Sequence, residues 1–283
     1  MRRGVYAVLG AVLLTGCTQL FFQPLRPHLH APSELGVSHE DVYFTAQDDV
    51  RLHGWFLPAQ GAARGTVLFF HGNAENISTH IASVYWLPAQ GYNVLLPDYR
   101  GYGLSAGTPT LAGLLEDIDS TVRYALTRPD VDPRRIVILG QSLGGALATD
   151  YVARSAYRAN IRALVVDSAF SSFRGITREK LSAFWLTWPL AWPLGLTVND
   201  DHSAIKSVAR VSPIPLLVIH GERDGIVPPE HGQRLYDAAR APKELWRVPG
   251  AGHIQALQLP AYRARFVRYL DERMDSSDVE AHR

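Results

Sequence analysis

The stretch Arg135-Ile136-Val137-Ile138-Leu139-Gly140-Gln141-Ser142-Leu143-Gly144 decides the fold. An apolar, β-branched run ends in the pattern G-x-S-x-G, and a segment rich in Ala and Leu follows from Gly144 to Ser155. The run reads as a strand and the segment as a helix. A strand that turns at once into a helix holds the corner residue in strained backbone geometry, and the flanking glycines are needed because no larger side chain fits the crowded turn. The Ser142 hydroxyl then stands at the tip of a sheet, near a helix N-terminus whose N–H groups favour developing negative charge. The motif alone is short and common. Its strand–turn–helix context is what makes Ser142 a candidate nucleophile and not a mere helix cap.

Working outward, similar runs recur at Thr66 to Phe70, Asn93 to Pro97, Ile161 to Val166, Pro215 to His220 and Glu244 to Val248. Continuously apolar strands have both faces covered, the mark of a parallel sheet between helix layers. Intervening segments such as Leu111 to Leu126 and Gln233 to Arg240 suit the helices of βα units. Val42 to Ala46 and Val50 to Leu57, separated by Gln47-Asp48-Asp49, predict a leading hairpin. These patterns predict an open, parallel α/β sheet. One stretch breaks the rhythm: the residues from Ser168 to Pro213 far exceed one crossover helix. They carry Phe173, Phe184, Trp185, Trp188 and Trp192, and read as an inserted lid. Phe184, Trp185, Trp188 and Trp192 are candidates for contact with substrate. A buried cluster packing the insertion onto the domain and contact with a membrane are the other uses of such a group.

A serine hydroxyl is a weak nucleophile and needs a base. Of eleven histidines, His253 lies in Pro249-Gly250-Ala251-Gly252-His253, on a Gly-rich loop directly after a strand. His71 and His220 also end strands but precede glycine and look structural; His28, His30 and His39 come before the sheet. The base needs an acid to fix its tautomer. Asp224, in His220-Gly221-Glu222-Arg223-Asp224-Gly225-Ile226-Val227-Pro228, follows another strand end, and the order Ser142, Asp224, His253 suits the motif. Asp167, ending the preceding strand, is the rival. Candidate oxyanion donors are the backbone N–H groups of Leu143 and of Asn73, the latter in His71-Gly72-Asn73-Ala74 after the strand Thr66 to Phe70.

Together with Asp98-Tyr99-Arg100-Gly101-Tyr102-Gly103-Leu104-Ser105, these segments resemble the "HGNA" group of α/β-hydrolase-fold serine hydrolases, which includes bacterial lipoprotein esterases and relatives of protein depalmitoylases. The resemblance spans roughly residues 40 to 272 and is weakest in the lid. It implies a mostly parallel eight-stranded sheet with helices on both faces, and no metal or organic cofactor. Glu75 departs from the group, where small residues are more usual. A carboxylate there would disfavour anionic substrates unless it points to solvent. The Gly-rich Asp98 to Ser105 loop lacks the G-x-x-x-x-G-K-[ST] pattern of a phosphate loop, and no His, Cys or carboxylate cluster has metal-ligand spacing along the chain.

Composition agrees with a large folded core: 47% of residues are hydrophobic and 19% charged. The formal net charge of +1 and the absence of a basic stripe leave no case for nucleic acid as a partner. The N-terminus is a different matter. Arg2 and Arg3 precede an uncharged, mostly apolar run from Gly4 to Gly16, too short to span a bilayer and suited to a signal peptide. It ends in Leu14-Thr15-Gly16-Cys17, which resembles the lipobox of bacterial lipoproteins. There the chain is cut before the cysteine, whose thiol takes a diacylglyceryl group. Cys17 is the single cysteine, so no disulfide competes for it. The expected organisation is a signal peptide over 1–16, a lipidated tether over 17–39, a hydrolase domain over 40–275 with its lid at about 168–213, and a tail over 276–283. With Thr18 and not Asp after the cysteine, the resemblance implies a cell-envelope protein of the outer membrane in a Gram-negative host.

The expected reaction is acyl transfer to water through an acyl-enzyme on Ser142. A carboxylic ester with an apolar acyl group is the first choice of substrate, a small molecule or lipid-like ester. A thioester, as in depalmitoylation, comes second and a peptide bond third. The competing class is a non-catalytic lipoprotein that uses the scaffold for binding. Loss of a triad residue would be its sign, and none is lost.

Overall fold

The apolar runs become eight strands of one sheet in a computed structural model that describes residues 21–183 and 185–275. They are β1 (Glu40–Thr45), β2 (Arg51–Leu57), β3 (Gly65–Phe70), β4 (Tyr92–Asp98), β5 (Ile136–Gln141), β6 (Ile161–Asp167), β7 (Leu216–Gly221) and β8 (Lys243–Val248). Spatial order is β1-β2-β4-β3-β5-β6-β7-β8. β1 pairs with β2 and β2 with β4 antiparallel, and all other pairs are parallel. The β1–β2 hairpin turns where expected, with the Ala46 N–H donating to Val50 O at 2.8 Å and Asp49 at φ 63°.

Every residue of β3, β4, β5 and β7 is buried. Successive side chains in a strand point to opposite faces, so each strand feeds two cores. Leu68, Phe70, Ile138, Leu164 and Val218 belong to one. Val67, Phe69, Val137, Leu139, Val165 and Leu217 belong to the other. Helices α1 (Leu111–Thr127), α2 (Leu143–Arg154) and α5 (Glu230–Ala238) cover the first face, α6 (Pro260–Asp275) covers the second, and α3 (Phe173–Ser182) joins the first core through Phe173 and Ile176. Each such aliphatic or aromatic side chain contributes about 1.5–3 kcal/mol on burial, which is why the parallel strands tolerate no polar alternation.

The strand order reverses between β3 and β5. From β3 the chain steps out to β4 on one side, then returns to β5 on the other. Such a switch point opens a crevice at the carboxyl ends of the strands. The insertion between β6 and β7 closes over that end as the lid, built from α3 and a short helix α4 (Ala191–Leu196).

The segment before the sheet departs from expectation. Residues 21–38 do not lead away as a tether but lie against the body as a strap. Phe22 is buried in the first core. The Asn76 amide donates to Leu25 O at 3.0 Å and Pro27 O at 2.8 Å, and Ser78 Oγ accepts from the Leu29 N–H at 2.9 Å. Backbone carbonyls that a solvated tether would give to water are satisfied here by buried side chains. Cys17, the apolar run before it, Phe184 and the tail lie outside the described residues.

Candidate active site

Gly140 and Gly144 bring strand and helix into contact. A Cβ on Gly140 would lie 2.5 Å from Gly144 C, and one on Gly144 would lie 2.1 Å from Phe70 O. Neither position has room for any side chain. Between them Ser142 takes φ 51° and ψ −112°, a left-handed conformation that costs a non-glycine residue on the order of 1–3 kcal/mol. The Ser142 N–H donates to Asp167 O at 2.9 Å, which holds the corner. Leu143 opens α2, so its N–H has no acceptor within the helix and stands beside the serine.

His253 follows β8 and Asp224 follows β7. The His253 Nδ1 lies 2.8 Å from Asp224 Oδ2. The other carboxylate oxygen accepts the N–H groups of Ile226 and Val227, each at 2.8 Å. Burial opposes charge on Asp224, but the neighbouring His220 and His253 outweigh it and hold the carboxyl well below the usual range. At neutral pH it is a carboxylate, and that charge fixes a proton on His253 Nδ1, leaving Nε2 as the acceptor.

The rival Asp167 makes no such bond. It is fully buried, accepts from Gln141 Nε2 at 2.9 Å and from Ser168 Oγ at 3.2 Å, and burial raises its pKa. The same Gln141 reaches Ser83 Oγ at 3.0 Å and His80 Nδ1 at 3.3 Å. Ser168 Oγ accepts the N–H of Ile254 at 3.1 Å, pinning the residue after His253. Asp167, Gln141 and Ser168 thus form a polar floor beneath the serine and histidine. His80 was not singled out in the sequence. It lines the cavity, and burial lowers its pKa. His71 is fully buried and pushed down to about 4 by burial, with its Nδ1 2.7 Å from Gly72 O. His220 Nε2 sits 2.9 Å from Val227 O and supports the Asp224 loop.

Asn73 is tied down on three sides. Its Oδ1 accepts the Gln23 N–H at 3.0 Å and the Tyr102 hydroxyl at 2.7 Å, and its Nδ2 donates to Phe21 O at 2.6 Å. Two of the three partners belong to the strap, which no motif marked. With the side chain so held, the main chain of the 71–74 loop is fixed next to Ser142.

Ser142, His253, Leu143 and Asn73 share one cavity of about 930 Å³. Its walls are largely apolar, from Phe170, Ile176, Leu181, Leu194, Val198 and Ile226, with Glu75 and Lys180 as the charged exceptions. The lid therefore does line the cavity, but through α3, Leu194 and the 197–198 turn. Trp185, Trp188 and Trp192 are not among the lining residues and are 74%, 62% and 69% exposed.

One cluster gathers possible metal ligands among the described residues: His28 from the strap, His53 from β2 and Asp98 at the end of β4. Far apart in sequence, they show no ligand spacing along the chain. His28 Nε2 lies 2.8 Å from Asp98 Oδ2. Two ligands of one tetrahedral zinc stand ~3.3 Å apart, so this contact is a direct hydrogen bond that clasps the strap to the sheet. His53 Nδ1 lies 3.6 Å from the same oxygen, and its Nε2 is 2.8 Å from Asp41 Oδ1.

Comparison with known proteins bears on the family and the fold. A family model described as serine aminopeptidase, S33, matches residues 61–202. The uncharacterized protein YfhR of Escherichia coli K12 is 41% identical over 223 residues, covering 77% of this chain and 75% of that protein. The alpha/beta hydrolase domain-containing protein WAV2 of Arabidopsis thaliana is 31% identical over 253 residues, covering 84% and 80%. Among solved structures, an esterase of Pyrococcus furiosus superposes with a TM-score of 0.72 at 24% identity, covering 89% of this chain and 98% of that one. At that identity the likeness speaks for the fold.

Proposed function

This chain belongs to the α/β-hydrolase family described as serine aminopeptidase S33, and from that premise we propose that it is a serine hydrolase cleaving carboxylic esters with apolar acyl groups. One observation carries the reading. Ser142, at a strained corner, shares a largely apolar cavity with a histidine whose Nδ1 is held 2.8 Å from a buried carboxylate. Ser142 Oγ attacks the carbonyl carbon as His253 Nε2 takes its proton. The oxyanion rests on the N–H groups of Leu143 and Asn73. His253 then returns the proton to the leaving alkoxide, and an acyl-enzyme remains. Water repeats the sequence and releases the acid. The apolar walls favour an aliphatic acyl group. The signal-like N-terminus and Cys17 support attachment to a bacterial membrane by lipid.

A second reading rests on Glu75. Its carboxylate lines the cavity and would pair with a substrate ammonium group, as an aminopeptidase requires. The test sets nitrophenyl esters from acetate to palmitate beside aminoacyl nitroanilides, with wild type and Ser142→Ala. Loss of a nucleophile costs several powers of ten. Ester turnover abolished in the variant supports the esterase, and anilide turnover without ester turnover replaces it with the peptidase. Equal rates in both proteins overturn the role of Ser142.

A further inference from the structure

The lid turns its largest apolar side chains outward. Trp185, Leu186, Trp188, Leu190, Trp192 and Leu196 are all exposed by half or more. The three tryptophans alone present roughly 500 Å² of surface, near the size of the largest apolar patch on an ordinary monomer. This ridge is joined to the cavity rather than remote from it. Leu194 of the same helix is exposed and also lines the cavity, as does Ile226 of the Asp224 loop. The ridge therefore adjoins the cavity through Leu194.

The strap reaches the same cavity. Phe21 lines the cavity and packs edge-on against Phe170 and Phe173, with ring centroids 5.7 and 5.4 Å away. Cys17 precedes it by four residues. The chain between Cys17 and Phe21 measures about 14 Å at full extension, at about 3.6 Å per residue. A lipid at Cys17 is therefore joined by this short chain to a residue of the cavity wall. Asn73 and Asn76 hold the strap's backbone at Phe21, Gln23, Leu25 and Pro27.

Among the described residues no helix is long and apolar enough to cross a membrane, so the ridge can lie on a bilayer but not span it. Tryptophan suits that position, with a ring that buries its body among acyl chains and keeps its N–H at the headgroups. Basic side chains adjoin it. Lys180 is exposed at the cavity rim, and the Arg178 guanidinium lies 4.1 Å from the Trp192 ring centre, a setting for anionic headgroups.

We propose that the ridge of Trp185, Trp188 and Trp192 seats in the headgroup layer of the membrane that anchors the chain, so that the cavity opens onto the bilayer and takes a fatty acyl ester resident in it. The substrate enters by its acyl chain along the apolar walls, without passing through water. This rests on the ester-hydrolase reading of the cavity and on Cys17 as the lipid attachment.

The test places the full chain in vesicles of phosphatidylethanolamine and phosphatidylglycerol with brominated acyl chains, which quench tryptophan on contact. Three of the six tryptophans are in the ridge, while Trp55, Trp86 and Trp246 are buried. Seating of the ridge quenches and blue-shifts its share of the emission. Trp185→Ser/Trp188→Ser/Trp192→Ser abolishes that change, keeps the rate on nitrophenyl acetate, and lowers turnover of a palmitoyl ester embedded in the vesicles by about tenfold or more. Wild-type emission that stays unquenched overturns the proposal and assigns the ridge to a protein partner or a second copy. That measurement needs no variant, so misfolding of the triple variant does not shield it. Quenching also needs no turnover. An enzyme inactive on every ester but quenched by lipid sinks the ester reading and leaves the seating.

Discussion

Ser142 is held at φ 51° because the sheet gives its N–H to Asp167 O on one side and two glycines let α2 close on the other. The strain is retained since nothing nearby can relax without opening the contact between Gly144 and Phe70 O. In the proposed mechanism Asp224 works by charge. Its carboxylate receives two backbone N–H groups and the His253 ring, so an amide in its place keeps the shape but no longer dictates which ring nitrogen carries the proton. Asp224→Asn is expected to lower kcat on a nitrophenyl ester by roughly 10⁴ with KM little changed. Steady-state kinetics on the folded variant checks this, and a loss of less than tenfold would remove Asp224 from the mechanism. Asn73 shows a different economy: its main chain is the candidate donor, while its side chain is spent on holding that main chain to the strap and to Tyr102.

Among elements, the strap is the one whose loss reaches furthest. Asn76 is fully buried. It caps the short helix at Ile77–His80 through the Ser78 N–H, at 2.9 Å, and donates to two strap carbonyls. Asn76→Ala would leave those carbonyls unpaired and the cap undone, for an expected loss of about 3 kcal/mol. Denaturant unfolding measures the loss, and limited proteolysis of the folded variant should now cut within 21–30. Unchanged stability would mean that water replaces the amide without cost. The lid divides its duties by face. Ile176, Leu181 and Leu194 turn to the cavity, while Trp188 and Trp192 turn away from it.

For the whole molecule, Asp98 joins three parts of the fold: the strap through His28, β2 through His53, and the helix at Ile77–His80 through the Ile77 N–H, which donates to Oδ1 at 3.1 Å. Burial resists its charge, yet His28 and His53 beside it bring its pKa from 3.8 down to about 2. A carboxyl depressed in the folded state stabilises the protein above its unfolded pKa. That contribution, on the order of 2 kcal/mol, is present above about pH 4 and is lost as pH falls toward 2. His53 shifts the opposite way: burial lowers its pKa, but Asp98 and Asp41 together raise it above 6.5. Its contribution is full below 6.5 and fades as pH rises past its folded value. Urea unfolding at pH 5 and pH 3 should show wild type losing more stability than Asp98→Asn. Parallel losses in the two proteins would exclude Asp98 as the acid-sensitive joint.

The eight strands, the corner at Ser142 and the order of serine, aspartate and histidine were legible in the chain itself. Each rests on short-range rules: β-branched runs bounded by turn residues, and glycines where strand meets helix. Those rules act over a few residues, so they survive without knowledge of the rest of the fold. They favoured Asp224 and left Asp167 as its rival, since both end strands, and the packing of the β7 and β8 loops brings Asp224 to His253. Nor could they see the strap. Its prolines and aromatics look like a linker until Phe22 meets the core and Asn76, some fifty residues on, takes up its carbonyls. The tryptophans of the lid were visible as a group, but the side they face depends on how α3 and α4 fold back over the sheet. Contacts between residues distant in sequence are decided by the closing of the chain in three dimensions, where burial and hydrogen-bond satisfaction are settled together.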